Sequence, residues 1–254
     1  MSQNKITALV TGASAGMGEQ FCEQLAERCD VIIAVGLRKN RLDELAQRLK
    51  SKTEVHPLSA DLTTVEGVAA TMEALRQKGP VDYLVNNAGF STYGNFPDLG
   101  IEDQRAMVSL HVDASMTLCK AAVGFMVERG SGHIINVSSL GSFLPGAGLA
   151  VYAATKAFLN NFSLGLHAEL AGTGVEVQAL CPGYTHTEFH DAMADEGFDK
   201  GEIDPDMWMD ASEVVAASLA ALGTGQVLVV PGEKNQQLAR YGLKQQLAAL
   251  GAES

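Results

Sequence analysis

Thr11-Gly-Ala-Ser-Ala-Gly-Met-Gly18 follows a short apolar, β-branched run at residues 7–11 and leads into an amphipathic helical pattern at residues 19–28. Its three glycines fall where the chain must turn sharply out of a strand and into a helix. Gly12 permits the tight turn, and Gly16 and Gly18 let backbone or helix come close to a bound group. The helix start behind them offers free N–H groups and partial positive charge, so the turn is a cradle for phosphate and suits the pyrophosphate of a dinucleotide.

Outward from that turn the same rhythm repeats. Short β-branched runs at residues 31–35, 54–57, 81–86, 133–138, 175–181 and 226–231 alternate with amphipathic segments at 41–50, 65–78, 102–129, 151–171 and 212–222. That alternation is the sign of a parallel sheet covered by helices. The pattern predicts an α/β chain: seven strands and six main helices in one doubly wound domain over residues 1–254, the sheet mostly parallel with helices on both faces. Residues 187–210 break the rhythm. They are rich in Asp, Glu, Met and Gly, carry Phe189, Phe198 and Trp208, and show no clean period. They read as an insertion able to cover a site and exclude water.

Composition narrows the function. With 46% hydrophobic and 19% charged residues the chain belongs with globular proteins. Eighteen Lys plus Arg against 30 Asp plus Glu leave a net charge of −12, which repels nucleic acid and anionic lipid; neither is expected as a partner. Read as continuous runs, no apolar stretch reaches the roughly 20 residues that span a bilayer. The first apolar segment ends too soon, at the glycine turn, for a signal peptide, so a cytoplasmic location is expected. The cysteines at 22, 29, 119 and 181 form no Cys-x-x-Cys pair and read as reduced core thiols.

The spacing Gly-x-x-x-Gly-x-Gly resembles the short-chain dehydrogenase/reductase family rather than the Gly-x-Gly-x-x-Gly of other dinucleotide folds. Further pieces agree in order and spacing across residues 7–187: Asp61-Leu62 after the third strand, Asn86-Asn-Ala-Gly89 ending the fourth, Ser139 after the fifth, Tyr152-Ala-Ala-Thr-Lys156 opening a long helix, and Pro182-Gly-Tyr-Thr-His-Thr187 after the sixth. The resemblance implies a single-domain Rossmann fold and an oxidoreductase acting on CH–OH or carbonyl groups. It implies cofactor contacts at Gly12, Ser14, Ala15, Gly16, Met17, Gly18, Asp61, Leu62, Asn87, Ala88, Gly89, Tyr152, Lys156, Pro182, Gly183, Thr185 and Thr187.

Charge at the end of the second strand bears on which nicotinamide cofactor binds. The chain reads Ala34-Val-Gly-Leu-Arg-Lys-Asn40, with Leu37 where NAD-preferring relatives carry Asp. Arg38 can grip a ribose 2′-phosphate through charge-assisted hydrogen bonds with nothing acidic to oppose it, so NADP(H) is expected over NAD(H).

Tyr152 and Lys156, four residues apart, share one helix face. A free Tyr hydroxyl titrates near pKa ~10; an adjacent ammonium and a positive nicotinamide ring both favour phenolate and would lower it, making Tyr152 an acid–base group. In the family picture Ser139 hydrogen-bonds the same substrate oxygen and Lys156 holds the nicotinamide ribose. His111, in Ser109-Leu-His-Val112, fills the slot where the family carries an Asn that helps hold a water on a proton path. Its imidazole could pass a proton near neutral pH, or stand neutral in a helix bend. His186 and His190 lack partners at ligand spacing, so no metal is expected.

The positions that line the pocket in the family are Phe90, Tyr93, Leu140, Phe143, Leu144, Tyr184 and the 187–210 segment, with Ser139, Phe143, Leu144 and Tyr184 the predicted substrate contacts. This apolar set suits a neutral, fairly hydrophobic ketone, aldehyde or secondary alcohol. The same apparatus could serve 3-oxoacyl or hydroxysteroid oxidoreduction, and a protein of another class, an NADP sensor without chemistry, would keep the fold. After the last strand a helical tail runs to Leu250, and the resemblance implies a homodimer or homotetramer built by pairing the helices at 102–129 and 151–171.

Overall fold

Alternation along the first strand sends Ala8 and Val10 to one face of a sheet and Leu9 to the other, and each face is covered by helices. A computed structural model describes residues 5–194 and 197–251; residues 195–196 of the 187–210 segment, and 1–4 and 252–254 of the expected domain, lie outside the described residues. The elements run β1 (Thr7–Thr11), α1 (Gly16–Leu25), β2 (Val31–Gly36), α2 (Lys39–Leu49), β3 (Glu54–Ser59), α3 (Val65–Lys78), β4 (Tyr83–Asn86), α4 (Ile101–Val108), α5 (Ser115–Arg129), β5 (Gly132–Val137), α6 (Ala150–Glu169) and β6 (Val175–Leu180). Then follow β7 (Thr185–His186), α7 (Asp191–Ala194), β8 (Met209–Asp210), α8 (Ala211–Ala221), β9 (Leu228–Val229) and α9 (Glu233–Ala248).

The seven-stranded sheet is ordered β3-β2-β1-β4-β5-β6-β9. Every described pairing in it is parallel, with Leu9 opposite both Ile33 and Leu84. One face packs Val10, Ile32 and Val85 under Phe21 and Leu25 of α1, Leu42 and Leu45 of α2 and Val214 of α8. The other packs Leu9, Ile33, Ile134 and Val177 under Leu75 of α3 and Leu118 and Met126 of α5. Each such aliphatic or aromatic side chain contributes roughly 1.5–3 kcal/mol by leaving water. Strand order reverses direction between β1 and β4, and a crevice opens beyond their carboxyl ends, where α/β sheets of this type bind ligands.

The departures from the sequence reading have local causes. β9 keeps only two residues of the expected 226–231, because Pro231 has no N–H for the ladder and the Gly223–Gly225 turn precedes it. The long helix at 101–129 is interrupted by a π-helical turn at Ser109–Ala114, with His111 buried inside it. By length and composition that 29-residue stretch could span a bilayer, contrary to the reading of runs alone. Instead Leu118, Cys119, Ala122 and Met126 lie buried against the sheet, as in a core helix.

Candidate active site

Four strand ends meet at the crevice, and hydrogen bonds tie them together. The Thr11 hydroxyl donates to the Val85 carbonyl at 3.3 Å and accepts from the N–H groups of Asn87 (2.9 Å) and Ala88 (3.0 Å). The Asn87 amide donates to the Thr11 carbonyl at 2.9 Å. Gly12 and Gly16 adopt left-handed backbone, φ 67° and 56°. A Cβ on Gly12 would lie 2.7 Å from Asn87 Nδ2, and one on Gly18 would collide with the Gly12 carbonyl. No side chain caps α1 at Ala15, which leaves the first-turn N–H groups for an anion. This cradle, which only glycine fits, suits a dinucleotide pyrophosphate. Ser14 and Met17 belong to the same turn, and Thr187 lies over it: a Cβ on Gly16 would come within 3.0 Å of Thr187 Cγ2.

Asp61 is exposed and its carboxylate accepts from the N–H and hydroxyl of Thr63 at 2.9 and 2.7 Å, while Leu62 sinks into the core. Pro182 accepts the Leu140 N–H at 2.7 Å, and Gly183 is pressed against Asn235 of α9. The Thr185 hydroxyl donates to the Gly183 carbonyl at 3.1 Å.

Ser139, Tyr152 and Lys156 come together beyond β5. Ser139 Oγ accepts the Gly141 N–H at 3.0 Å, and a Cβ on Gly141 would lie 3.4 Å from Ser139 Oγ and 3.6 Å from the Tyr152 ring, so the two side chains are neighbours. Lys156, 4% exposed, donates from Nζ to the Val137 carbonyl at 2.9 Å and lies 5.7 Å from the Tyr152 ring centre. Burial pushes Tyr152 up to about 12, against the opposing hydrogen bond from Ser139, and pushes Lys156 down to about 7. The lowering of Tyr152 expected from the ammonium is not found; desolvation sets the direction instead.

His111 is 1% exposed and both ring nitrogens are engaged. The Phe90 N–H donates to Nε2 at 3.3 Å, so Nδ1 carries the hydrogen and donates to Thr155 Oγ1 at 2.9 Å; that hydroxyl donates on to the Tyr152 carbonyl at 2.8 Å. Burial, then the nearby Lys156, holds the imidazole well below its usual range, in the neutral form. A Cβ on Gly89 would lie 2.8 Å from His111 Nε2 and 3.4 Å from Lys156 Nζ, so that glycine makes room for both.

Opposite this centre stands a strap of short turns at 187–210. It carries α7 and is anchored where β7 pairs with β8, Thr185 opposite Met209. Tyr184 meets His190, Phe198 and Trp208 with ring centres 5.5, 6.3 and 5.4 Å apart, and Tyr93 meets Phe198 at 5.7 Å. Phe189 reaches the Tyr152 ring at 5.9 Å. Of the expected substrate contacts, Phe143 is 5% exposed in a cluster with Leu140, Ala179 and Ala239 beneath α9, and Leu144 packs against the same cluster. Gln246 donates to the Phe143 carbonyl at 2.9 Å, and Gly242 packs directly on that carbonyl. Among the described residues no group of three His, Cys, Asp or Glu side chains is placed to hold a metal ion.

Arg38 lies just beyond the carboxyl end of β2, its Nε and NH2 3.4 Å from the Ser14 hydroxyl and carbonyl oxygens. Lys39 is drawn away to Asp43, 2.6 Å off along α2. The expectation that nothing acidic opposes Arg38 needs correction: its NH1 donates to Glu188 at 2.6 Å. The sequence reading passed over Glu188, Thr11 and Thr155. Glu188 is 150 residues from Arg38, and no spacing rule links them.

The model of the short chain dehydrogenase family matches residues 6–196. An uncharacterized oxidoreductase of Staphylococcus epidermidis is 35% identical over 196 residues, 77% of this chain and 82% of that one. Among solved structures, a short-chain dehydrogenase from Sphingobium yanoikuyae in complex with NADPH superposes with a TM-score of 0.84 at 32% identity, covering 98% of this chain and 97% of that one. The bulky-bulky ketone specific alcohol dehydrogenase from Comamonas testosteroni gives 0.80 at 29% identity, covering 99% and 96%.

Proposed function

Since this chain belongs to the short-chain dehydrogenase family, we propose that it interconverts a neutral, fairly hydrophobic ketone or aldehyde and the corresponding alcohol with NADP(H), Tyr152 exchanging the proton. The observation that carries this reading is the placement of Tyr152 beside Ser139 and Lys156, next to a glycine cradle at the point where strand order reverses. When bound, the nicotinamide supplies or accepts the hydride. Gly12, Gly16, Gly18 and the start of α1 would hold its pyrophosphate, Arg38 a 2′-phosphate, and Lys156 the nearby ribose.

Each side chain then has a task at a stated atom. In the reducing direction Tyr152 Oη gives its proton to the substrate oxygen, and its high protonation range keeps that proton in place until charge develops. Ser139 Oγ donates a hydrogen bond to the same oxygen and stabilises that charge. The Lys156 ammonium, its protonation range brought near neutral by burial, would give a proton back to the tyrosyl oxygen. His111 acts as a positioning residue, holding the backbone at Phe90 and, through Thr155, the helix turn that carries Tyr152.

The strap's rings present apolar faces to substrate, Tyr93 adds one beside Phe198 and Phe90 another beside His111, which favours a bulky uncharged group on the carbonyl carbon. The NADPH-bound relative and the exposed Leu37 beside Arg38 support NADP(H). Four buried, free thiols suit a reducing cytoplasm. An apolar groove of about 480 Å³ between α4 and α6, lined by Phe96, Val108, Val151 and Phe158, supports a homodimer or homotetramer formed through those helices. A monomer mass by light scattering at micromolar protein would refute that assembly.

The test of the chemistry is absorbance of NADPH, then NADH, with a panel of neutral aryl and aliphatic ketones and aldehydes. We expect NADPH to be oxidised faster than NADH, with bulky ketones leading. Tight NADPH binding without turnover on the whole panel would contradict the reading and favour a sensor.

A further inference from the structure

Three consecutive residues of the strap touch three separate parts of the crevice. Thr187 lies on Gly16, Glu188 bridges to Arg38, and Phe189 lies against Tyr152. Arg38 gives Glu188 its one short hydrogen bond, 2.6 Å from NH1 to Oε2, while its two contacts to Ser14 are long at 3.4 Å. Arg41 stands 4.0 Å from the other carboxylate oxygen. Two guanidinium groups thus converge on one carboxylate at the place where the chain is expected to meet the cofactor's adenosine ribose.

We infer that Glu188 is an internal competitor for Arg38, a specificity-determining residue supplied by the strap that limits how strongly the protein prefers the 2′-phosphorylated cofactor. The inference rests on the proposed role of Arg38 as holder of the 2′-phosphate. A phosphate monoester carries about −1.5 to −2 charges at neutral pH and matches the guanidinium fork, so it and the carboxylate contend for the same donors. An acid at this end of the crevice is also the group that repels a 2′-phosphate.

The existing bridge is displaceable. Its partners are 43% and 55% exposed, and ion pairs so open to water are weak and screened by salt. A phosphate seated on Arg38 leaves Glu188 with Arg41 alone, or free. Because Thr187 and Phe189 flank it, releasing Glu188 also loosens the hold of the strap on the glycine turn and on Tyr152. Cofactor identity at one end of the crevice is thereby felt at the other. A cofactor lacking the phosphate leaves the Arg38–Glu188 bridge intact.

Calorimetric titration of NADPH and NADH into wild type, Glu188→Gln, Arg38→Ala and the double variant tests this without turnover. We expect Glu188→Gln to tighten NADPH about three- to fivefold, the upper worth of one exposed ion pair to Arg38, and to leave NADH within about twofold. The gain should shrink at high salt and vanish in the Arg38→Ala background. Unchanged NADPH affinity, weaker NADPH binding, or an equal shift for both cofactors in Glu188→Gln would overturn the inference. If Arg38→Ala leaves the NADPH to NADH ratio as in wild type, the phosphate is not held at Arg38 and the underlying reading fails with it. If Arg38→Ala collapses that ratio while Glu188→Gln does nothing, only the competitor role is lost.

Discussion

The crevice has two walls of different construction. The wall formed by the ends of β1, β4 and β5 is held by buried hydrogen bonds: Thr11 to three backbone groups, His111 to Phe90 and Thr155, Lys156 to Val137. The strap at 187–210 is held by ring contacts among Tyr184, His190, Phe198 and Trp208 and by exposed ion pairs such as Arg38–Glu188. Hydrogen-bonded backbone fixes atoms to within tenths of an ångström, which proton transfer needs. Offset ring contacts are individually worth about 0.5–1.5 kcal/mol and tolerate sliding, which suits selecting a substrate by bulk. We propose that the first wall carries the chemistry and the second the choice of ligand.

The sharpest attempt to break that division is a methyl group in the rigid wall. Gly18→Ala sets a Cβ against the Gly12 carbonyl, backbone against backbone, and cannot be relieved by rotating a side chain. Overpacking of this kind costs about 1–3 kcal/mol, so NADPH affinity should fall roughly ten- to a hundredfold by calorimetry. Undiminished affinity would mean the cradle is not where the pyrophosphate binds.

Lys156 offers the next test, through pH. Its protonation lies near 7 in the folded protein against an ordinary value of 10.5, so the unfolded chain binds more protons between those limits and stability should rise with pH there. Comparing the melting of wild type and Lys156→Met from pH 7 to 9 removes the shared contributions of the thiols. The difference should grow in favour of wild type by up to roughly 1 kcal/mol per pH unit. Parallel curves would mean the lysine is solvated.

Trp208→Ala probes the other wall. It deletes contacts to Tyr184, His186 and His190, so KM for a bulky ketone should rise about tenfold with kcat little changed. A matched loss of kcat would make the strap part of the chemistry. The smallest effect is expected of His111→Asn. Because the imidazole stays neutral across the working range, the pH–rate profile should keep its shape, whereas a displaced limb would reveal a proton relay at His111.

The first wall was legible in sequence because its parts obey local rules. Glycines mark left-handed turns, a four-residue interval puts Tyr152 and Lys156 on one face, and β-branched runs mark buried parallel strands. Burial at Tyr152 was not legible, since it depends on how α6 packs on β5 and β6 rather than on the Tyr-Lys interval. The strap shows no period because its residues answer to partners far away in the chain: Phe198 to Tyr93, Glu188 to Arg38. The burial of Phe143 was not legible for the same reason, since the tail helix over it arrives a hundred residues later.

The most direct test of the division pairs two measurements on Tyr152→Phe: calorimetric NADPH binding, and NADPH oxidation with the best ketone of the panel. We expect binding within a few-fold of wild type and turnover lower by about 10²–10⁴-fold, the usual share of general acid catalysis. Turnover near that of wild type, with binding intact, would remove Tyr152 from the chemistry and contradict the proposal.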